Sequence, residues 1–180
     1  MKIYLLMLLM LGCTALQAQK YMTKTGYIKF YSHSPIEDIE AENEEVAAIL
    51  NGETGALTFA LLIKSFEFEK ALMQEHFNEN YLESDEYPKA IFKGQIKDFS
   101  SKLVKEEGEH KVNVTGELTL HGETNTINAS ATLTVSKDGV LGATQFIVKP
   151  EDYRIRIPNA VRNNIAKEIE VTVRVDLQER

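Results

Sequence analysis

The sequence predicts an all-β protein in which eight antiparallel strands close into a barrel, with one or two short helices. Three observations support this prediction: apolar and polar residues alternate in runs after residue 20, glycines lie between neighbouring runs, and one short segment has helical periodicity. Alternation gives a strand one buried and one exposed face, which is typical of antiparallel sheets and barrels. Eight strands enclose a space just wide enough for side chains or for one small ligand.

The predicted strands follow runs in which every second residue is apolar. The most regular run is the last, where aliphatic residues from 169 to 177 alternate with polar ones. Gly, Asn or Asp residues lie between neighbouring runs at 51–55, 121–124 and 137–139, and they tolerate the positive φ of tight hairpins. We place the eight strands near residues 24–33, 43–50, 56–64, 89–99, 111–120, 126–136, 140–149 and 168–178.

One segment, residues 70–81, departs from the alternation. Four of its side chains recur at helical spacing: Leu72, Met73, Phe77 and Tyr81. This spacing predicts a short helix that lies over one end or one side of the barrel. A second helical turn is predicted at 159–165, directly after Pro158.

The composition is that of an ordinary globular protein, and it limits the partners. The chain has 180 residues, of which 43% are hydrophobic, and this length suits one domain with a core or a lined cavity. The formal net charge of −7 argues against a nucleic-acid partner, because phosphate recognition requires a basic face. It also argues against electrostatic docking to an anionic membrane.

The first residues predict a secretory signal peptide. Lys2 provides a positive start, residues 3–11 are apolar, and small residues follow up to Ala18. A run of about nine apolar residues is too short for a membrane span, which takes about 20. We therefore predict a signal peptide at residues 1–18, a barrel domain at residues 19–180, and export to the periplasm or the medium.

The single cysteine, Cys13, allows a second interpretation of this region. If cleavage follows Ala18, the mature protein has no cysteine and no disulfide. Alternatively, Leu11-Gly12-Cys13 is a lipoprotein box, and the protein is anchored through a lipidated Cys13.

An acidic segment at residues 37–45 has two interpretations. Its carboxylates could chelate a hard cation such as calcium, but their spacing is not that of an EF-hand loop and no Gly provides its sharp turn. The other interpretation is a solvated loop or a strand edge that resists pairing.

The sequence contains no recognisable catalytic or metal-binding motif. The four histidines include no H-E-x-x-H pair, and G-x-S-x-G, P-loop and G-x-G-x-x-G motifs are absent. His76 is interpreted as a packed residue on the apolar helix face, and His121 as part of a hairpin turn. We expect no enzyme activity, no catalytic residues, no metal and no cofactor.

Tyr153, Arg154 and Arg156 are candidates for binding an anionic head group, because arginine donates well to phosphate. The alternative is that both arginines face water while Ile155 and Ile157 face inward.

Three short sequence motifs occur in a particular order and at a particular spacing along the chain. They are Tyr87-Pro88-Lys89-Ala90 leading into Phe92-Lys93-Gly94, then Gly116-Glu117-Leu118-Thr119-Leu120-His121-Gly122, then Asp152-Tyr153-Arg154-Ile155-Arg156-Ile157-Pro158. Together they resemble the YceI-like family of exported, lipocalin-like β-barrels that carry polyisoprenoid lipids. The resemblance covers residues 25–177. One departure is that His33-Ser34 ends the first predicted strand instead of preceding one, so the first hairpin is expected to differ.

The resemblance implies an exported protein that holds a long apolar lipid of the polyisoprenoid type in the barrel. It leaves open the length and head group of the lipid, and a homodimer. The alternative is a non-catalytic structural or interaction module of the cell envelope with a filled barrel. The candidate lining residues lie on the inward faces of the predicted strands: Phe59, Leu61, Ile63, Phe92, Ile96, Leu118, Leu120, Leu133, Phe146, Val171 and Val173.

Overall fold

The computed structural model describes residues 19–180, and over this range the chain forms a closed antiparallel β-barrel. The predicted signal peptide, with Cys13, lies outside the described residues. The strands in chain order are β1 Lys20–His33, β2 Asp38–Asn51, β3 Ala56–Leu62, β4 Glu67–Phe68, β5 Lys89–Ile96, β6 Gly108–Leu120, β7 Glu123–Ser136, β8 Gly139–Val148 and β9 Ile169–Glu179.

Eight of these strands form the barrel wall, in the order β1-β9-β8-β7-β6-β5-β3-β2, and β2 pairs with β1 to close it. The closing pair is long, from Lys20 opposite Asn51 to His33 opposite Asp38. The two-residue strand β4 lies outside the wall and pairs with β2 beyond the end of β3. The predicted eight-stranded barrel is thus confirmed, and closure leaves its wall without a free edge.

The short helix predicted at residues 70–81 is also confirmed. Helix α1 spans Ala71–His76, and a π-helical turn at Phe77–Tyr81 continues it through the predicted segment. A 3₁₀ turn at Asn159–Val161 lies at the start of the second predicted helical segment. Further 3₁₀ turns, which the alternation did not indicate, occur at Ile63–Ser65 and Pro150–Tyr153.

The two ends of the barrel differ in their connections. At one end, which we call the upper end, the chain makes two long connections, 63–88 and 149–168. The other end, the base, carries short turns and the connection 97–107. Val104 in that connection is buried, and its carbonyl oxygen accepts a hydrogen bond from the Tyr21 hydroxyl at 3.4 Å. A buried apolar cluster closes the base: Tyr21, Leu50, Leu57, Ile96, Val104, Val112, Val135, Val140 and Leu177.

The second strand differs from its predicted bounds. It begins at Asp38 rather than at residue 43, so the acidic segment forms the first half of β2. The acids within β2 are exposed, and they meet the outward face of β1: Lys29 Nζ lies 2.6 Å from Glu40 Oε2. The Tyr27 hydroxyl donates to Glu42 Oε1 at 2.7 Å. The predicted loop or edge is therefore a wall strand, paired along its length inside the closed sheet.

A bulge in β2 explains part of the difference between its predicted and its observed start. Asn43 is 1% exposed and faces inward; its side-chain amide donates to the Leu62 carbonyl oxygen at 3.1 Å. Its Oδ1 accepts from the Glu45 backbone N–H at 2.9 Å. The register of β1 against β2 shifts beside it, between Gly26 and Ile28. A polar residue at an inward position and an extra residue in the strand both interrupt the sequence alternation.

Candidate ligand-binding cavity

An apolar cavity of about 310 Å³ occupies the upper half of the barrel. Its walls are the inward faces of the wall strands, and segments of both long connections cover it. Nearly all of its lining is aliphatic or aromatic, apart from the polar groups of five side chains: Ser32, Glu37, His76, Tyr81 and Asn164. His76 is exposed and Glu37 partly so, which places the opening of the cavity beside them.

A second apolar cavity, of about 120 Å³, lies in the lower half of the barrel. It arises because several inward positions carry small residues, including Ala129, Ala131 and Gly142. Its lining contains one hydroxyl group, that of Thr144, which donates to the Ser130 carbonyl oxygen at 2.8 Å. No polar group of this lining therefore needs a partner in the cavity.

The predicted lining residues all lie on these two cavities. Those on the upper cavity alone are Ile63, Leu120 and Val171. Those on the lower cavity alone are Phe59, Phe92, Ile96, Leu133 and Val173. Leu61, Leu118 and Phe146 lie on both. Alternation thus identified side chains that face the barrel interior, whereas a role of these side chains in binding stays a prediction.

The two long connections supply lining residues that the alternation does not indicate. Phe66, Phe68 and Phe77 pack around Phe30 of β1 at the upper end, with ring centroids 5.0–5.7 Å apart in the pairs they form. The connection 149–168 contributes Ile155, Ile157, Val161 and Ile165. The sequence feature that could have indicated these lining residues is the high density of large apolar residues in segments without strand periodicity.

The short helix turns one face to the cavity. Met73, His76, Phe77 and Tyr81 lie on the lining, as a helical face requires. Leu72, which the helical spacing grouped with them, is instead 60% exposed. His76 lies on this face but is exposed at the opening, so it is not the packed residue that the sequence suggested.

Two polar contacts hold the connections against the barrel at the opening. Glu37 Oε1 lies 2.9 Å from Lys70 Nζ, next to the start of the helix, and this contact raises the pKa of Lys70. The Ser32 hydroxyl oxygen, which is buried, accepts a hydrogen bond from the Ala166 backbone N–H at 2.9 Å. The first contact secures the connection 63–88, and the second secures the connection 149–168.

The head-group candidates lie in the connection 149–168. Tyr153 is 1% exposed, and its hydroxyl has no hydrogen-bond partner among the described residues. Burial raises the pKa of Tyr153 to about 12. Arg154 Nη1 lies 3.0 Å from Glu123 Oε1 with its side chain in solvent. Arg156 is also exposed, and it stands between two lining residues, Ile155 and Ile157.

The hairpin between β6 and β7 joins both connections. His121 and Gly122 form its turn with positive φ values of 51° and 76°. The His121 Nδ1 donates to the Tyr153 carbonyl oxygen at 2.9 Å, and Nε2 lies 2.8 Å from Glu83 Oε2. The ring of Tyr87 packs edge-on against the imidazole, with centroids 4.6 Å apart. His121 thus has the structural role in a turn that the sequence suggested.

Within residues 19–180, no group of three or more His, Cys, Asp or Glu side chains is arranged to hold a metal ion. In the same part of the chain, no helix has the length and apolar character needed to cross a bilayer.

Comparison with known proteins identifies the domain type. The family model described as "YceI-like domain" matches residues 21–177. No curated protein matches the chain.

Three solved structures share the fold at low sequence identity. A polyisoprenoid binding domain from Saccharophagus degradans, implicated in plant cell wall breakdown, is 14% identical with a TM-score of 0.77, and the match covers 91% of this chain and 99% of that one. BcnA of Burkholderia cenocepacia is 15% identical with a TM-score of 0.64, covering 84% and 94%. A YCEI protein of Campylobacter jejuni is 15% identical with a TM-score of 0.56, covering 88% and 84%.

Proposed function

The chain belongs to the YceI-like domain family, and from that premise we propose that it is an exported binding protein that holds the apolar chain of a polyisoprenoid-type lipid inside its barrel. The observation that carries the proposal is the apolar cavity of about 310 Å³ at the upper end, with an opening beside Glu37 and His76. Ligand cavities commonly have volumes of about 300–1,000 Å³ and mostly apolar walls.

The lining explains why the ligand is an apolar chain. Removing a methylene group from water contributes about 0.8 kcal/mol. A hydrocarbon chain gains this along its length without hydrogen bonds, whereas a polar molecule would lose its contacts with water and find few replacements. The polar side chains of the upper cavity are too few to solvate a polar ligand, which favours a chain that carries any head group at the opening.

The fold neighbours support the same chemical class. The Saccharophagus degradans domain is described as polyisoprenoid binding, and its chain matches this one over nearly its whole length. A branched chain of isoprene units also fits walls made of Leu, Ile, Val and Phe, since these side chains pack well against methyl branches.

We place the head group outside the cavity, on the side of the connection 149–168. Arg156 is exposed and adjoins two lining residues, so it is our candidate for binding an anionic group on this side of the cavity. Arg154 already contacts Glu123 in solvent and is the weaker candidate. Tyr153 is buried, and its hydroxyl can serve only a group that enters beside it.

The proposed activity is binding without catalysis. The alternative from the sequence, an envelope module with a filled barrel, is less favoured because the barrel interior holds two voids far larger than one water molecule, which needs about 10–15 Å³.

Export is part of the proposal and rests on the predicted leader at residues 1–18. Cell fractionation followed by N-terminal mass spectrometry tests it. We expect a mature chain that begins near Gln19 in the soluble periplasmic or secreted fraction. A mature chain that begins with a diacylated Cys13 and stays with the membrane would instead establish the lipoprotein interpretation.

The test of binding is the recovery of lipid from the protein. The chain from Gln19 onward, purified from its native source without detergent, is extracted with organic solvent, and the extract is analysed by mass spectrometry. We expect an isoprenoid in amounts approaching one per chain, and reloading of the delipidated protein with added polyprenol. A protein that carries no lipid and takes up no polyprenol would refute the proposed function.

A further inference from the structure

Five side chains lie on both cavities and therefore form the boundary between them. They are Ile28 of β1, Leu61 of β3, Ala90 of β5, Leu118 of β6 and Phe146 of β8. These strands are distributed around the barrel, so the five side chains form a ring across its interior. We call them the dividing ring.

Four of the five members of the dividing ring are large side chains. Only Ala90 is small, and it stands directly opposite Leu61 in the register of β3 and β5. Ala90 therefore leaves more space than any other member of the ring. A larger side chain at this position would fill this space, because neighbouring inward side chains on paired strands touch.

Below the dividing ring the interior is apolar and is closed at the base by packed side chains. The lower cavity is bounded by Leu50, Leu57, Ile96 and Leu177, all of them buried. Beyond these, Val104 and Tyr21 pack into the base. A chain that extends into the lower cavity therefore meets this packed apolar cluster at the base.

From this geometry we infer that the lower cavity is a separate subsite for the end of a long isoprenoid chain, reached past the dividing ring beside Ala90, so that the protein prefers chains long enough to enter it. A chain that stops at the ring uses only the upper cavity. A longer chain passes the ring beside Ala90 and buries its last unit among Ala129, Ala131 and Gly142. The inference rests on the proposed function, since it concerns the ligand of the same cavity.

The experiment compares prenols of increasing length on the delipidated protein. Geraniol, farnesol, geranylgeraniol and longer prenols share one head group, and each differs from the next by whole isoprene units. Their dissociation constants are measured by displacement of a fluorescent fatty-acid probe. For the wild type we expect each added unit to tighten binding about tenfold or more, including the unit that enters the lower cavity.

Two variants address the two parts of the inference separately. Ala90→Leu adds bulk to the dividing ring, and Ala129→Leu adds bulk at a residue that lines only the lower cavity. In both we expect the shortest prenol that binds to keep its affinity within about threefold, and the longest to lose about tenfold or more. Ala47→Leu is the matched control: Ala47 is exposed on β2, so all prenols should bind this variant as they bind the wild type.

The outcomes separate this inference from the proposed function. Suppose that the wild type binds prenols, but the two cavity variants weaken the binding of all prenols equally or weaken the binding of none. The lower subsite is then wrong and the lipid-binding function stands. If the wild type binds no prenol, both are wrong. If Ala90→Leu does not fold, Ala129→Leu decides alone: a loss confined to long prenols supports the lower subsite, and any other pattern contradicts it.

Discussion

Gly94 of β5 and Gly116 of β6 face each other in paired positions on the inside of the barrel, and the ring of Phe92 lies against both. A Cβ atom on Gly116 would lie 2.5 Å from the Gly94 Cα atom and 2.5 Å from the Phe92 Cζ atom. The two glycines therefore provide the space that the phenyl ring occupies. Because Phe92 lies on the lower cavity, this arrangement shapes the cavity wall.

Gly116→Ala is expected to destabilise the protein. The added methyl group must displace both the Gly94 backbone and the Phe92 ring, and overpacking of this kind costs about 1–3 kcal/mol. Urea unfolding followed by circular dichroism measures the change. Gly108→Ala is an instructive comparison, since space at Gly108 is open and any cost there comes from its positive φ of 132°. A Gly116→Ala protein as stable as the wild type would contradict the close packing.

Leu118→Asp is expected to abolish folding or ligand uptake. Leu118 faces inward on the dividing ring, where a carboxylate would lose its hydration without gaining a partner. Glu117→Leu is the control, because Glu117 is exposed on the other face of the same strand. Expression, thermal melting and prenol uptake are compared in the two variants. A stable Leu118→Asp protein with normal uptake would show that the faces of β6 are reversed.

His121→Gln is expected to loosen the upper end of the barrel. One His121 ring nitrogen contacts the Tyr153 carbonyl oxygen and the other contacts the Glu83 carboxylate. Glutamine can keep one of these hydrogen bonds, and the loss of the other costs about 1–2 kcal/mol. Hydrogen exchange should quicken first in the connections 63–88 and 149–168. Uniform or unchanged exchange would contradict a local role.

Tyr153→Phe is expected to leave stability at neutral pH unchanged or slightly higher. The buried hydroxyl has no partner among the described residues, so its removal relieves a desolvation cost. A loss of more than about 1 kcal/mol would show that the hydroxyl has a partner in solution, such as a bound water molecule.

The same substitution is expected to change the alkaline dependence of stability. The pKa of Tyr153 is raised from 10.0 to about 12, so the folded protein holds its proton where the unfolded chain has lost it. Stability from this group is therefore complete below pH 10 and falls between pH 10 and about 12. Tyr153→Phe should flatten this decline in urea titrations. Tyr27→Phe is the comparison, since burial and its hydrogen bond to Glu42 raise the pKa of Tyr27 to about 12 as well.

Local alternation was sufficient to predict most of the barrel. Side chains on a strand alternate between faces whatever the partner strand is, so the inward positions from Val112 to Leu120 and from Ile169 to Leu177 follow from the sequence alone. Alternation did not predict the strand bounds where a polar residue faces inward or an extra residue interrupts the pairing. In β2, inward Asn43 and a bulge interrupted the pattern, and the strand begins earlier than predicted.

The tertiary structure alone decided whether the barrel is hollow. Whether a void remains depends on side chains from different strands that meet across the interior, and no local pattern records that Ala90, Ala129 and Gly142 share one space. Other contacts also join residues far apart in the chain. Phe66 and Ile155 both line the upper cavity, and His121 contacts Glu83. Sequence periodicity determined which way each side chain points, and the closed packing of eight strands determined how much space those side chains leave between them.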